Sequence, residues 1–303
     1  MRVFVTGANG FVGQWLEKEL QRHGQEVVCT PGPDVLDIAD RSGLARWLDD
    51  PAGPPDAVIH LAGMAFAPDA GHDPAEAFRV NVGGTVALFE ALREVGIRPP
   101  VLVSGSADIY GSPRAHDLPL REDAPSAPNS PYALSKVAQE GAAAEASTRY
   151  GFPVIVTRSF NHTGPGQRPV FVVPAMAKRV MAVKRGQAKV IPAGNVGVRR
   201  DLTDVRDVVV AYRLLVEAAA AGRLTYRLTV VNVASGEAVT VRDVVERLCR
   251  LAGVAPVIEI DRSLVRADDP AEIRGDPTLI RSLVGWQPSV SLEQTLVDVL
   301  ATC

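Results

Sequence analysis

The sequence predicts an α/β protein built on a doubly wound parallel sheet, with a smaller lobe toward the C-terminus. Two observations carry this. The chain opens on RVFVTGANGFVG, where a short apolar strand (Val3, Phe4, Val5) runs into three glycines and then into an amphipathic stretch with Trp15, Leu16 and Leu20. Farther on, short runs nearly continuous in valine, isoleucine and leucine alternate with longer helix-patterned segments, as strands do when helices cover both faces of a parallel sheet.

Taken in order, the first strand is expected over Arg2–Thr6. The glycines after it suit a dinucleotide pyrophosphate. Gly7 permits a tight turn and Gly10 a close backbone approach to phosphates, while Gly13 lets the helix lie near the sheet and aim its N-terminal amides at the anion. Glycine-rich turns also arise for packing alone. Position favours the nucleotide, because the second strand (26–30) is followed by DVLDIAD, where an adenosine end would lie. Further strands are expected at 57–61, Val101–Ser104, 154–158 and Leu228–Val233, with helices over 75–95, 132–150 and 206–221. After Arg158 the pattern loosens into FNHTGPGQRP and the stretch 191–200, and it loosens again after Ser235. The expected division is therefore a dinucleotide-binding domain of residues 1–160 plus about 200–234, and a lobe of about 161–199 plus 235–303 closing over the strand ends.

The chain has 303 residues, and 32 lysines and arginines nearly balance 35 acidic residues. No basic face asks for nucleic acid, so a small-molecule substrate is expected. Cys29, Cys249 and Cys303 are widely spaced, and neither they nor the five histidines follow a metal-ligand pattern. Reduced packing cysteines, no metal and a cytoplasmic location are expected. The early glycines exclude a secretory signal, and no apolar run is long enough for a membrane span.

Chemistry enters at Tyr132. Lys136 follows it by one helical turn, so both side chains share a face, and a neighbouring ammonium is expected to lower the phenol pKa toward use in proton transfer. The competing reading is a solvated pair on a surface helix. Ser106, just past the strand Val101–Ser104, could donate to a substrate oxygen that gains charge, with Ser104 as its rival and an ordinary turn or cap serine as the alternative. No GxSxG elbow supports a hydrolase.

In this order and spacing TGANGFVG, HLAG, SGSADIYG, YALSK, RSFNHTGPGQ and RRDLTDVRD resemble the extended short-chain dehydrogenase/reductases that act on nucleotide sugars, over almost the whole chain. The resemblance implies a Rossmann-type fold. It implies that Gly7, Asn9, Gly10, Phe11, Val12 and Gly13 line the pyrophosphate, that Asp37 and Ile38 hold the adenine, and that Leu61 and Ala62 line the inner ribose and nicotinamide with Asn81 behind them. Ser106, Tyr132 and Lys136 match the catalytic triad, and Ser104, Tyr132 and Lys136 would also face the cofactor. Asn161 matches an asparagine that supports the substrate phosphates. His162 beside it could contact the sugar or simply satisfy backbone groups. Arg200 and Arg266 match two arginines that clamp the diphosphate, although Ala267 stands before Asp268 where the family usually has proline.

Within this superfamily the residues after Ser106 separate reactions. The resemblance implies that dehydratases place an acid and a glutamate base there, or at least the glutamate, whereas this chain has Ala107 and the shorter Asp108, so dehydration is disfavoured and Asp108 is read as a substrate contact. The dual epimerase/reductases place cysteine at the position of Asp108 and histidine where this chain has Phe171. Plain reduction of a 4-keto group remains, and RSFNHTGPGQ, RRDLTDVRDVV and GWQP look most like 4-ketoreductases, including those that form GDP-D-rhamnose. A 4-epimerase with tightly held NAD, or a nucleotide sensor without turnover, are the alternatives. After the second strand come Cys29, Thr30, Pro31 and Gly32, neither acid nor base, which favours NADPH slightly and leaves NAD open. A homodimer is expected, with the nucleotide (GDP, dTDP or UDP) and the C4 stereochemistry left open.

Overall fold

The computed structural model describes residues 1–224, 227–265 and 269–303. Strands β1 (Arg2–Thr6), β2 (Glu26–Cys29), β3 (Ala57–His60), β4 (Val101–Ser104) and β5 (Val154–Ser159) form most of one parallel sheet. The chain then makes β6 (Asn161–Thr163), β7 (Val190–Ala193) and β8 (Arg199–Asp204) outside that sheet before β9 (Leu228–Val233) returns to its edge. The order is β2-β1-β3-β4-β5-β9, so the direction of winding reverses between β1 and β3. Ligands bind in the crevice beyond the carboxyl ends of strands at such a reversal.

Each buried strand alternates its side chains between two cores. Val3 and Val5 of β1, with Ile59 and Leu102, meet Leu16 and Leu20 of α1 (Phe11–Arg22) on one face. Phe4 points the other way, toward Leu44 and Leu48 of α2 (Arg41–Leu48). Two short helices, α3 (Ala67–His72) and α4 (Pro74–Phe78), then lead to α5 (Gly84–Val95), whose Leu88 and Leu92 share the second core with Ala143 and Ala146 of α6 (Pro131–Tyr150). The helix expected over 75–95 is therefore interrupted. Residues Arg79–Gly83 form a single wide π turn that buries Asn81 completely, and its amide satisfies the backbone of Met64.

Helix α6 begins where the sequence places it because Ser130 accepts from Ala133 N–H (3.1 Å) and Pro131 occupies the first turn. It ends at Gly151, whose φ of 76° suits glycine. The strands expected over Arg2–Thr6, Val101–Ser104 and Leu228–Val233 keep those bounds, the other expected strands end one residue away, and the helix over 206–221 shifts by one residue, α8 being Val205–Ala220 and supplying Tyr212 and Leu215 to the first core.

The loosened stretches are more ordered than their composition suggests. Helices α7 (Val172–Lys184), α9 (Val241–Ala252) and α11 (Leu292–Ala301) enclose a third core with Val173, Val180, Ile191, Val244, Leu248 and Leu296. Helix α10 (Thr278–Val284) instead returns to the first core through Ile280. Strand β8 pairs with β6, β10 (Ala238–Thr240) and β12 (Glu272–Ile273), and β7 pairs with β11 (Val257–Ile260). Residues 199–204 thus belong to a small sheet, and the chain rejoins the main sheet's helices at Val205. Among the described residues no helix is long and apolar enough to cross a membrane.

Candidate active site

The cradle between β1 and α1 is built by close approach. Gly7 has φ 74°, and a Cβ there would lie 2.6 Å from Ala62 N. A Cβ on Gly13 would collide with the Gly7 carbonyl and the Ala8 backbone, so both positions demand glycine for different reasons. Gly10 caps α1 with no side-chain acceptor, and Asn9 and Gly10 are exposed. The first-turn amides, which lack partners within any helix, therefore have an open approach. This donor set fits a dinucleotide pyrophosphate, with Phe11 and Val12 half-buried at the helix start.

Asp37 and Ile38 lie one strand over. The Asp37 carboxylate accepts from Ala39 N–H (2.9 Å) and pairs with Arg79 (2.6 Å), and these contacts hold it below the usual carboxylate range. Ile38 is buried against the position of Gly84, whose Cβ would come within 2.8 Å of it. Leu61 and Ala62 continue from β3 beside Gly7, half-buried. Behind them Asn81 Oδ1 accepts from Met64 N–H (2.8 Å) while its Nδ2 donates to Ser135 Oγ (2.9 Å).

Ser106, Tyr132 and Lys136 converge. Ser106 caps a short turn, Ala107–Tyr110, by accepting from Asp108 N–H (3.1 Å), and its hydroxyl is close enough to the Tyr132 phenol to favour its ionised form. The turn reading of this serine is met by that cap. Tyr132 and Lys136 are buried, at 7 % and 6 % exposure, which excludes a solvated surface pair. The Lys136 ammonium donates to Ser104 O (3.0 Å) and Gln139 Oε1 (2.9 Å), with its Nζ 5.9 Å from the centre of the Tyr132 ring.

The tyrosine pKa is raised, opposite to the lowering expected from Lys136. Burial raises it first and the Asp108 carboxylate raises it further, against the opposing hydrogen bond from Ser106. Tyr132 keeps its proton at neutral pH, so it is equipped to donate one. Burial pushes Lys136 down to about 8, with Asp108 acting in the opposite direction.

The remaining candidates are more scattered. The Ser104 hydroxyl lies 3.4 Å from Tyr212 OH and its carbonyl holds Lys136, so this residue serves the site through its backbone. Asn161 is exposed on β6. His162 donates from Nδ1 to Phe160 O (3.1 Å) and stacks on Phe11 at 6.4 Å and 8°, and burial lowers its pKa, keeping it neutral. Arg200 donates to Pro270 O (2.9 Å) and Arg199 O (2.8 Å) and pairs with Asp269. Arg266 lies outside the described residues. Phe171 meets Phe66 edge to face at 5.3 Å, and the Arg168 guanidinium stands 6.0 Å from both rings. Sequence reasoning missed Gln139, whose signal was its place one turn beyond Lys136.

Comparison with known proteins agrees with this geometry. The chain is 35% identical to the GDP-6-deoxy-D-mannose reductase of Pseudomonas aeruginosa, covering 99% of this chain and 96% of that protein. It is 30% identical to the UDP-glucose 4-epimerase of Mycolicibacterium smegmatis over 99% of this chain and 97% of that one. The solved structure of RMD from Pseudomonas aeruginosa complexed with NADPH superposes with a TM-score of 0.89 at 34% identity, covering 99% of this chain and 98% of that one. The Thermus thermophilus UDP-glucose 4-epimerase complex with NAD gives 0.85 at 28% identity, covering 100% and 98%. Residues 35–299 match the family described as GDP-mannose 4,6 dehydratase. The chain belongs to that family and is an NAD(P)-dependent enzyme of the extended short-chain dehydrogenase/reductase type.

Proposed function

We propose that this enzyme reduces the C4 keto group of a GDP-linked 4-keto-6-deoxyhexose with NADPH. The observation that carries the reading is the buried Ser106–Tyr132 pair with Tyr132 held protonated, next to Ala107 and Asp108 in place of a dehydratase's acid and glutamate. Similarity to a GDP-6-deoxy-D-mannose reductase along the whole chain supports the substrate class, and the likeness to a structure complexed with NADPH supports the cofactor.

In this reading Gly7, Asn9, Gly10, Phe11, Val12 and Gly13 would hold the pyrophosphate, Asp37 and Ile38 the adenosine end, and Leu61, Ala62 and Asn81 the nicotinamide side. The nicotinamide supplies the hydride when bound. Ser106 and Tyr132 grip the C4 oxygen as charge develops on it, Tyr132 transfers its proton to that oxygen, and the Lys136 cation stabilises the phenolate left behind. Asn161, Arg200 and Arg266 would meet the substrate diphosphate, and Asp108 and His162 would border the sugar. We also read residues 1–160 with about 200–234 as the dinucleotide domain, joined at its first core by α10, and the remainder as the substrate lobe, in a cytoplasmic homodimer. Val86 on α5 and Leu134 on α6, 47 % and 49 % exposed, support a partner face there.

The test is incubation with NADPH and a GDP-4-keto-6-deoxyhexose, followed by mass and NMR analysis of the sugar. The expected result is loss of NADPH with formation of a 4-hydroxy product heavier by one hydrogen pair. Interconversion of UDP-glucose and UDP-galactose without net NADPH use would instead establish the epimerase.

A further inference from the structure

Lys136 sits at the head of a buried chain of hydrogen bonds in which the chemistry leaves each group one orientation. An ammonium only donates, so Gln139 turns its Oε1 to Lys136 (2.9 Å) and its Nε2 to Thr85 Oγ1 (2.9 Å). The Thr85 hydroxyl hydrogen is committed to Asn81 O (2.8 Å), so its lone pairs accept from Gln139 and from His60 Nε2 (3.1 Å). His60 therefore carries its hydrogen on Nε2. Its Nδ1 accepts from the Thr6 hydroxyl (2.7 Å), whose oxygen accepts in turn from Ala62 N–H (3.2 Å). Thr6, His60, Thr85 and Gln139 are all 1 % exposed or less. The chain thus runs from the lysine through α6, α5, β3 and β1 to the backbone beside Gly7.

We propose that Gln139 is a positioning residue for Lys136: its amide oxygen, fixed in direction by Thr85, His60 and Thr6, holds the ammonium between α6 and the end of β4 and keeps it cationic. Two of the three N–H bonds are then occupied by Ser104 O and Gln139, and the third is directed by exclusion. The titratable groups around Lys136 are Tyr132 on its own helix, Asp108 beyond β4 and His60 on β3. His60 is pushed down to about 3 by burial and by the charge of Lys136, so it stays neutral and leaves the ammonium as the chain's cation. Burial alone works against that cation, and the Gln139 oxygen opposes it within hydrogen-bond distance. A leucine or alanine at this position would supply no acceptor.

The inference rests on Lys136 being the lysine of the reductase site, yet it can be read without turnover. Titrating the Lys136 side chain by NMR in the full chain, Gln139→Leu should lower the midpoint by about one unit and Gln139→Glu should raise it by about as much. The alkaline limb of the kcat profile should move with the midpoint in each case, down in the Leu variant and up in the Glu variant. Midpoints that stay put in both variants overturn the proposal. Should the Leu variant not fold, nitrogen NMR of the unaltered chain decides: His60 is expected neutral with hydrogen on Nε2 from about pH 5 to about pH 9, and a hydrogen on Nδ1, or a midpoint near ~6.5, overturns the fixed polarity. A midpoint that shifts as expected in a protein unable to reduce the keto sugar would refute the functional reading and leave the positioning role standing. An unmoved midpoint in an active reductase would do the reverse.

Discussion

The two regions proposed for cofactor and substrate differ in how their outermost polar groups are engaged. On the dinucleotide side α1 starts with no capping side chain and an exposed Gly10, so its donors face outward and are ready for an anion. On the side proposed for the substrate, the polar groups are engaged with each other. Arg200 is held by Asp269 and Pro270 O, and the Asp201 carboxylate accepts from Ser235 N–H (2.8 Å), Gly236 N–H (3.0 Å) and Gly275 N–H (3.2 Å). Helix α9 is closed by a reciprocal Thr240 and Asp243 cap. In the proposed reading one half is preformed for its ligand. In the other, a diphosphate reaching Arg200 would compete with Asp269 for its guanidinium.

The sharpest test of the preformed half is Tyr132→Phe, which should reduce turnover by roughly 10²-fold or more while cofactor affinity changes little. Near-normal steady-state turnover with the true substrate would remove the proton-donor role. The chain of hydrogen bonds behind that half should also appear in the pH dependence of stability. His60 is neutral in the fold down to about 3, whereas an unfolded chain protonates it below ~6.5, so the unfolded state binds the extra proton between those values. The contribution is whole above ~6.5 and is lost as pH falls toward 3, at about 1.4 kcal/mol per pH unit. Urea unfolding from neutral to acid pH should show a shallower slope in His60→Asn than in the parent, whatever the variant's absolute stability, and equal slopes would mean that His60 is protonated in the fold.

The engaged half gives a smaller effect. Arg200→Ala should weaken GDP binding by roughly 1.5 to 3 kcal/mol and spare NADPH. Asp269→Asn should tighten it, because the guanidinium is released from its internal partner. Isothermal titration with each ligand separates the cases: a loss confined to NADPH would place Arg200 in the wrong half. Least of all, Ser130→Ala should cost about 1 kcal/mol of stability through the α6 cap, measured by urea midpoint, with the Tyr132 geometry intact because Pro131 still sets the first turn.

The dinucleotide half was legible because its signals are local: continuous apolar strands, glycines wherever a Cβ would strike backbone, and a tyrosine and lysine one helical turn apart. The other half depends on pairings distant in sequence. Strands as short as Asn161–Thr163, Ala238–Thr240 and Glu272–Ile273 are polar or half-exposed and exist through their partners on β8, so no periodicity announces them. Helix α9 is a different case, since Val241, Val244, Val245, Leu248 and Ala252 do follow helical spacing and were legible but unread. The direction of the Tyr132 shift was out of reach for another reason. Spacing brings Lys136 near the phenol, but burial and Asp108 decide the sign, and both belong to the folded chain.

The wide turn at Arg79–Gly83 acts as a phase joint. On its leading side Ala77 packs with Ala70 against Tyr132, and on its trailing side Leu88 and Leu92 lie on the sheet. Each residue of a regular helix advances the facing direction by about 100°. Deleting one residue from the turn would therefore rotate α5 out of step with α4, so that one of the two faces would leave its neighbour. The number of residues there, as much as their identity, sets the angle at which the site is held to the sheet.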